Sequence, residues 1–91
     1  MNKVELIKVI SDQTNVTKKD TEKVVNAFTQ EVMKEVERGG RVQLIGFGTF
    51  SSVKAAARIG RNPQSGEEMR IPARRLPKFK PGKLFKNMLN V

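Results

Sequence analysis

The stretch Ala57–Arg75, "ARIGRNPQSGEEMRIPARR", carries five arginines (Arg58, Arg61, Arg70, Arg74, Arg75) against three large apolar side chains, Ile59, Met69 and Ile71. So little apolar surface cannot stabilise a folded unit by itself. At its centre, "RNPQSG" has the chemistry of a chain reversal. Asn62 before Pro63 suits the first two positions of a type I turn, and Gly66 can take positive φ a little later. Strand-like flanks on either side make the segment a two-stranded ribbon, charged and without a core. An isolated ribbon of this kind is marginally stable in water and is ordered by what it binds.

Working outward, "RVQLIGFGTF" places Val42 and Leu44 on one face of a strand, turns at Gly46 and Gly48 around Phe47, and resumes at Thr49 and Phe50 as a second strand. That strand is expected to run on through "SSVKAAAR" into the ribbon. The return strand, "EEMRIPARRLPKF", is punctuated by Pro72 and Pro77, which restrict those positions to sheet edges or bulges. "KPGKLFKNMLNV" closes with a short helix. Its Leu84, Phe85, Met88 and Leu89 make an apolar face and Lys83 and Lys86 a basic one, a pattern that reads as a core-capping helix.

The first forty residues have a helical period instead. Asn2 can cap a first helix with Glu5 three places on, and Leu6, Ile7 and Ile10 form its apolar face. Asn15 and Thr17 interrupt the pattern. Thr17 is a good N-cap, with Asp20 in the first turn, for a longer helix in which Val25, Phe28, Val32 and Val36 recur at three and four residues. Gly39 and Gly40 end it where a left-handed cap wants glycine. The fold class is α+β in a single domain over residues 1–91: a helical base over 1–40, a sheet with its arm over 41–80, and a C-terminal helix over 81–91.

Charge is distributed unevenly. The 91-residue chain has a net charge of +9. Residues 1–40 hold seven Lys/Arg and seven Asp/Glu, whereas residues 41–91 hold eleven Lys/Arg against Glu67 and Glu68 alone. A balanced half beside a strongly basic half points to a polyanion, of which nucleic acid is the commonest. There is no cysteine, which excludes disulfides and thiolate metal sites. Charges at Lys3, Glu5, Lys8, Asp12 and Lys18–Asp20 leave the first thirty residues no apolar run for a secretory signal or membrane span, so the expected compartment is the cytoplasm. An enzyme is not expected. Histidine is also absent, and Glu67 and Glu68, adjacent on a predicted strand, are expected to point to opposite faces, from which they cannot easily share a metal ion. No cofactor, metal or small-molecule substrate is implied.

The run "GFGTF", the tip "GRNPQSGEE", the "IPA" after it and the closing "FKPGK", with the start "MNKVELI", together resemble the bacterial HU/IHF family of DNA-bending proteins across essentially all 91 residues. The resemblance implies an intertwined homodimer or heterodimer. A helical base would carry a three-stranded antiparallel sheet per chain and two long β-ribbon arms that wrap the minor groove of double-stranded DNA. It further implies a non-sequence-specific protein that bends and compacts DNA in the nucleoid and favours bent, nicked or junction DNA. A site-specific bender of the integration-host-factor type is the alternative within the family. An RNA-binding or ribosome-associated protein is the alternative from another class, against which stands the absence of Tyr and Trp for stacking bases.

The resemblance also assigns roles. Pro63 becomes the wedge that inserts between base pairs, with Asn62 beside it at the tip. Arg58, Arg61 and Arg70 along the ribbon can neutralise phosphates or enter a narrow groove. Arg74, Arg75, Lys78 and Lys80 lie on the return strand, where alternate positions face opposite sides, so some of them face DNA and others do not. Free N–H groups at Gly82 and Lys83, opening the last helix, make a phosphate site together with the lysine, and Lys3 is a further contact. Relatives often carry arginines at alternating positions after "GFGxF", where this chain has Val53 and Ala55, with Lys54 between them. A shift by one position changes the face, which throws more of the work on Arg58.

Overall fold

The computed structural model describes residues Met1–Asn90; Val91, the last residue of the expected C-terminal helix, lies outside them. The chain contacts divide it into two compact units, Met1–Lys34 and Glu35–Val91.

In the first unit, helix α1 spans Lys3–Thr14 and α2 starts at Lys18. Both starts are set by side-chain caps. Asn2 Oδ1 accepts from Glu5 N at 2.9 Å, and Thr17 Oγ1 from Asp20 N at 3.2 Å, satisfying amides that the helices cannot. Asn15, at φ 57°, ends α1 in the left-handed region that asparagine tolerates better than most residues. Ser11 Oγ donates to the Val16 carbonyl at 2.5 Å and ties the connecting loop back onto α1. Ile7 is the one large apolar side chain that is buried among the described residues. Leu6, Val24 and Phe28 remain exposed and line an apolar groove of about 480 Å³ with Ile10, Val16 and Val25.

In the second unit, the last turn of α2 ends at Glu37. Gly39, at φ +89°, forms the expected left-handed cap: its N–H donates to Val36 O and that of Gly40 to Glu35 O, both at 3.0 Å. Three strands follow in the antiparallel order β1 (Val42–Leu44), β2 (Gly48–Ala55), β5 (Arg74–Pro81). Between β1 and β2, Gly46 takes φ +86° in a turn that Phe47 N closes onto Leu44 O. One sheet face gathers Val42, Leu44, Phe50 and Phe79, since directly opposed residues share a face. Phe47 and Phe85 join these rings. Phe50 and Phe79 lie 4.8 Å apart by centroid, and Phe47 stacks on Phe85 at 5.8 Å. Gly48 is buried beneath the cluster, where a Cβ would come within 2.6 Å of the Phe79 ring and of Lys80 O.

Helix α3, Lys83–Leu89, is shorter than the expected 81–91. It is fixed by backbone: Gly82 N donates to Phe47 O at 2.8 Å and Phe85 N to Gly46 O at 3.2 Å.

The arm differs from expectation in two respects. Strand β2 does not run unbroken into the ribbon. A separate two-stranded sheet, β3 (Arg58–Arg61) with β4 (Glu68–Ile71), is set off from the main sheet at Ala56–Ala57 and Pro72–Ala73. Pro72 has no N–H to give the ladder, which accounts for a break at that point. The register nonetheless carries through, from Ala55 opposite Arg74 to Arg58 opposite Ile71. Pro77 is accommodated inside β5, an edge strand, without a slip in pairing. The tip, in turn, is not closed as a four-residue turn. Gly66 N donates to Asn62 O at 2.8 Å, one residue further along than a type I turn would have it, and Asn62 N to Glu67 O at 2.9 Å. Asn62 Oδ1 accepts from Gln64 N, and Gly66 at φ +73° supplies the left-handed step.

Candidate nucleic-acid interface

Pairing within the arm separates its arginines. Arg61 opposes Glu68 and Ile59 opposes Arg70, which puts Arg61, Arg70 and Ile59 on one face. Arg58 opposes Ile71 and Gly60 opposes Met69, so Arg58 belongs to the other. There Ile71 covers Gly60, its Cδ1 lying 2.9 Å from where a Cβ would be. Arg58, Arg61 and Arg70 are all exposed. Pro63 is exposed at the extreme tip, and Asn62 behind it is half-buried, its side chain engaged in the turn.

The same alternation sorts the sheet. Thr49, Ser51, Val53 and Ala55 share a face with Lys80, Lys78, Leu76 and Arg74. On this side a shallow groove of about 630 Å³ gathers Arg41, Lys78, Lys80, Lys83 and Lys86, with no acidic side chain among its lining residues. Five cations around one open groove concentrate positive potential there. Lys78, Lys80 and Lys83 are expected from sequence; Arg41 and Lys86 are not. The signal for Arg41 was the alternation itself, because Arg41 and Gln43 flank Val42, whose face is the apolar one.

Lys54 and Arg75 face the other way. They oppose each other across β2 and β5, in step with Phe50 and Phe79. Val53 is on the groove side. The Arg75 guanidinium is engaged within the protein: Nη2 donates to Glu37 O at 2.7 Å and to Val36 O at 3.0 Å. The amides at the start of α3 are also less free than expected, since Gly82 N and Phe85 N are taken up by the Phe47 and Gly46 carbonyls. Lys3 belongs to the first unit, where it lines a groove of mixed charge with Lys8, Lys18 and Lys19 beside Glu5 and Glu22.

No helix among the described residues is long and apolar enough to cross a membrane. The family model described as bacterial DNA-binding protein matches residues 1–90. The chain is 47% identical over 90 residues to DNA-binding protein HU-1 of Halalkalibacterium halodurans, covering 99% of this chain and 100% of that one. It is 51% identical over 86 residues to DNA-binding protein HU of Lactococcus lactis, covering 94% of each. Among solved structures, an Anabaena HU–DNA cocrystal structure superposes with a TM-score of 0.94 at 43% identity, over 98% of this chain and 97% of that one. With helices, sheet, arm and sequence in agreement over this whole length, the chain belongs to the HU family of bacterial DNA-binding proteins.

Proposed function

We propose that this chain is a non-sequence-specific architectural protein of the bacterial nucleoid, a dimer that bends, wraps and compacts double-stranded DNA with its two arms. The observation that carries the reading is an arginine-bearing ribbon of two short strands, too poor in apolar surface to exist for its own stability, on a chain of this family. Phosphate neutralisation by the ribbon and the basic groove supplies affinity without regard to sequence. Minor-groove architectural proteins, this family among them, insert apolar wedges that unstack a base step and recover the cost when the bent duplex meets more protein surface. Pro63 is the residue in position to do so here. Arg58, Arg61, Arg70, Arg74, Lys80, Lys83 and Lys3 serve as phosphate contacts, joined by Arg41, Lys78 and Lys86 around the groove.

Dimerisation follows from how little the single chain buries. Ile7 is its one buried large apolar residue among those described, while Val24, Phe28, Phe47 and Phe79 keep a third or more of their surface in water. Exposure on this scale is resolved by a second copy, which would cover the α1–α2 groove and the aromatic cluster.

A competition assay on random duplex, nicked duplex, four-way junction and RNA tests the function. Nicked and junction DNA should compete best, random duplexes alike among themselves, and RNA poorly. With on the order of six phosphates neutralised at one time by the dimer, fewer than the cations available, affinity should fall roughly a thousandfold between 50 and 200 mM salt. Discrimination among random duplexes by several kcal/mol, or RNA competing as well as DNA, refutes the reading.

A further inference from the structure

We propose that Arg75 is a positioning residue that locks the root of the arm to the end of α2, and that it is not a phosphate contact. Its position in a highly basic strand suggests the opposite, and three observations decide between the two.

The first is what the guanidinium touches. The left-handed cap at Gly39 and Gly40 satisfies the carbonyls of Val36 and Glu35, but provides no donor for that of Glu37. Arg75 Nη2 donates to Glu37 O at 2.7 Å and adds a second bond to Val36 O at 3.0 Å. Charge-assisted bonds to the last turn of a helix, where backbone carbonyls leave a partial negative charge, are favourable on both counts. The second is direction. In the β2–β5 register Arg75 opposes Lys54, in step with Phe50 and Phe79, whereas Lys78 and Lys80 line the basic groove on the other face. The third is location. Arg75 is the second residue after the break at Pro72–Ala73 where the arm leaves the sheet, and its bonds reach back 38 and 39 residues along the chain. A contact so placed fixes β5 at the point from which the arm departs. The arm's aim, and through it the bend imposed on DNA, is set from this anchor, a consequence that rests on the architectural function proposed above.

The experiment compares Arg75→Ala and Arg75→Lys with Lys78→Ala, which removes the same charge from the groove face of the same strand. Two readouts need no DNA. Arg75→Ala should lower the melting temperature by about 4 °C, the size expected for one charge–dipole contact at a helix end in a small domain, and it should speed amide exchange at Gly39 and Gly40 several-fold. Arg75→Lys, which keeps the charge and a donor on a different head group, should recover part of both. On DNA at saturating protein, well below melting, Arg75→Ala should reduce the bend seen by fluorescence energy transfer while leaving the slope of log affinity against log salt at the parent value. Lys78→Ala should lower that slope by about one for each contact removed. Unchanged exchange at Gly39 and Gly40 with a slope reduced as much as in Lys78→Ala would overturn the proposal. Because exchange and melting are read on the free protein, the clamp can fail or stand independently of the DNA-bending function.

Discussion

Replacing Pro63 by alanine and, separately, Arg61 by alanine should divide the work of the arm into two independent parts. The structure makes the first substitution unusually clean. The tip is closed by Asn62 N to Glu67 O, Gly66 N to Asn62 O and Gln64 N to Asn62 Oδ1, and Pro63 takes part in none of these bonds. Alanine can adopt the same backbone, and the cost is a more flexible unfolded chain, about 0.4–1 kcal/mol. What is lost is a rigid apolar ring exposed at the point furthest from the sheet. Unstacking a base step costs a few kcal/mol, less where DNA is already nicked or distorted. Pro63→Ala should therefore reduce the bend and weaken the preference for nicked over intact duplex, and it should leave the salt slope unchanged. Arg61→Ala should do the reverse. Each lost phosphate contact lowers the slope by about 0.9, so removing one from each chain of a dimer lowers it by about 1.8 and takes roughly tenfold out of the affinity change between 50 and 200 mM salt. Energy transfer across an end-labelled duplex reports the bend, and titration at several salt concentrations reports the slope. If Pro63→Ala bends DNA as sharply as the parent at saturation, the proline is a turn-former only and the wedge assignment fails.

Three further outcomes are expected. Melting temperature should rise with protein concentration, as mass action requires of a fold completed by association, and sedimentation showing a folded monomer at micromolar concentration would contradict the dimer. Gly48→Ala should destabilise the protein by about 1–3 kcal/mol, because its Cβ would meet the Phe79 ring and the Lys80 carbonyl at 2.6 Å; an unchanged melting curve would show that the sheet can relax there. Asn62→Ala removes the acceptor of the Gln64 amide, and faster hydrogen exchange at Gln64 in the free protein is the check.

What could be read from the sequence was what the chain determines locally. Asn2 and Thr17 cap helices because their oxygens reach amides three residues on, and Gly39 and Gly46 hold positive φ because the backbone around them demands it. Each signal lies within a few residues of its effect. Alternation likewise gave the apolar sheet face through Val42, Leu44 and Phe50. The elements that escaped depend on partners distant in the chain. Nothing near Gly82 says that its N–H will be taken by Phe47, and nothing near Arg75 says that the cap at Gly39 and Gly40 provides no donor for the carbonyl of Glu37. The break at Pro72 is a local effect whose position opposite Ala57 is fixed only by the pairing.

That pairing keeps one register from the tip to the sheet. The bonds that close Asn62–Glu67 set Arg61 opposite Glu68, and the register then holds past the interruption at Pro72 as far as Gly48 opposite Pro81. Because a shift of one residue exchanges the two faces of a strand, a tip loop that agrees with this register bears on more than its own shape. The register places Arg61 and Arg70 together and Arg58 apart. Further down the same ladder, the same register sends Lys78 and Lys80 to the basic groove and turns Arg75 toward the end of α2. Asn62 and Gly66, which close the loop and carry no charge, thus belong to the same register that sorts the arginines between the two faces.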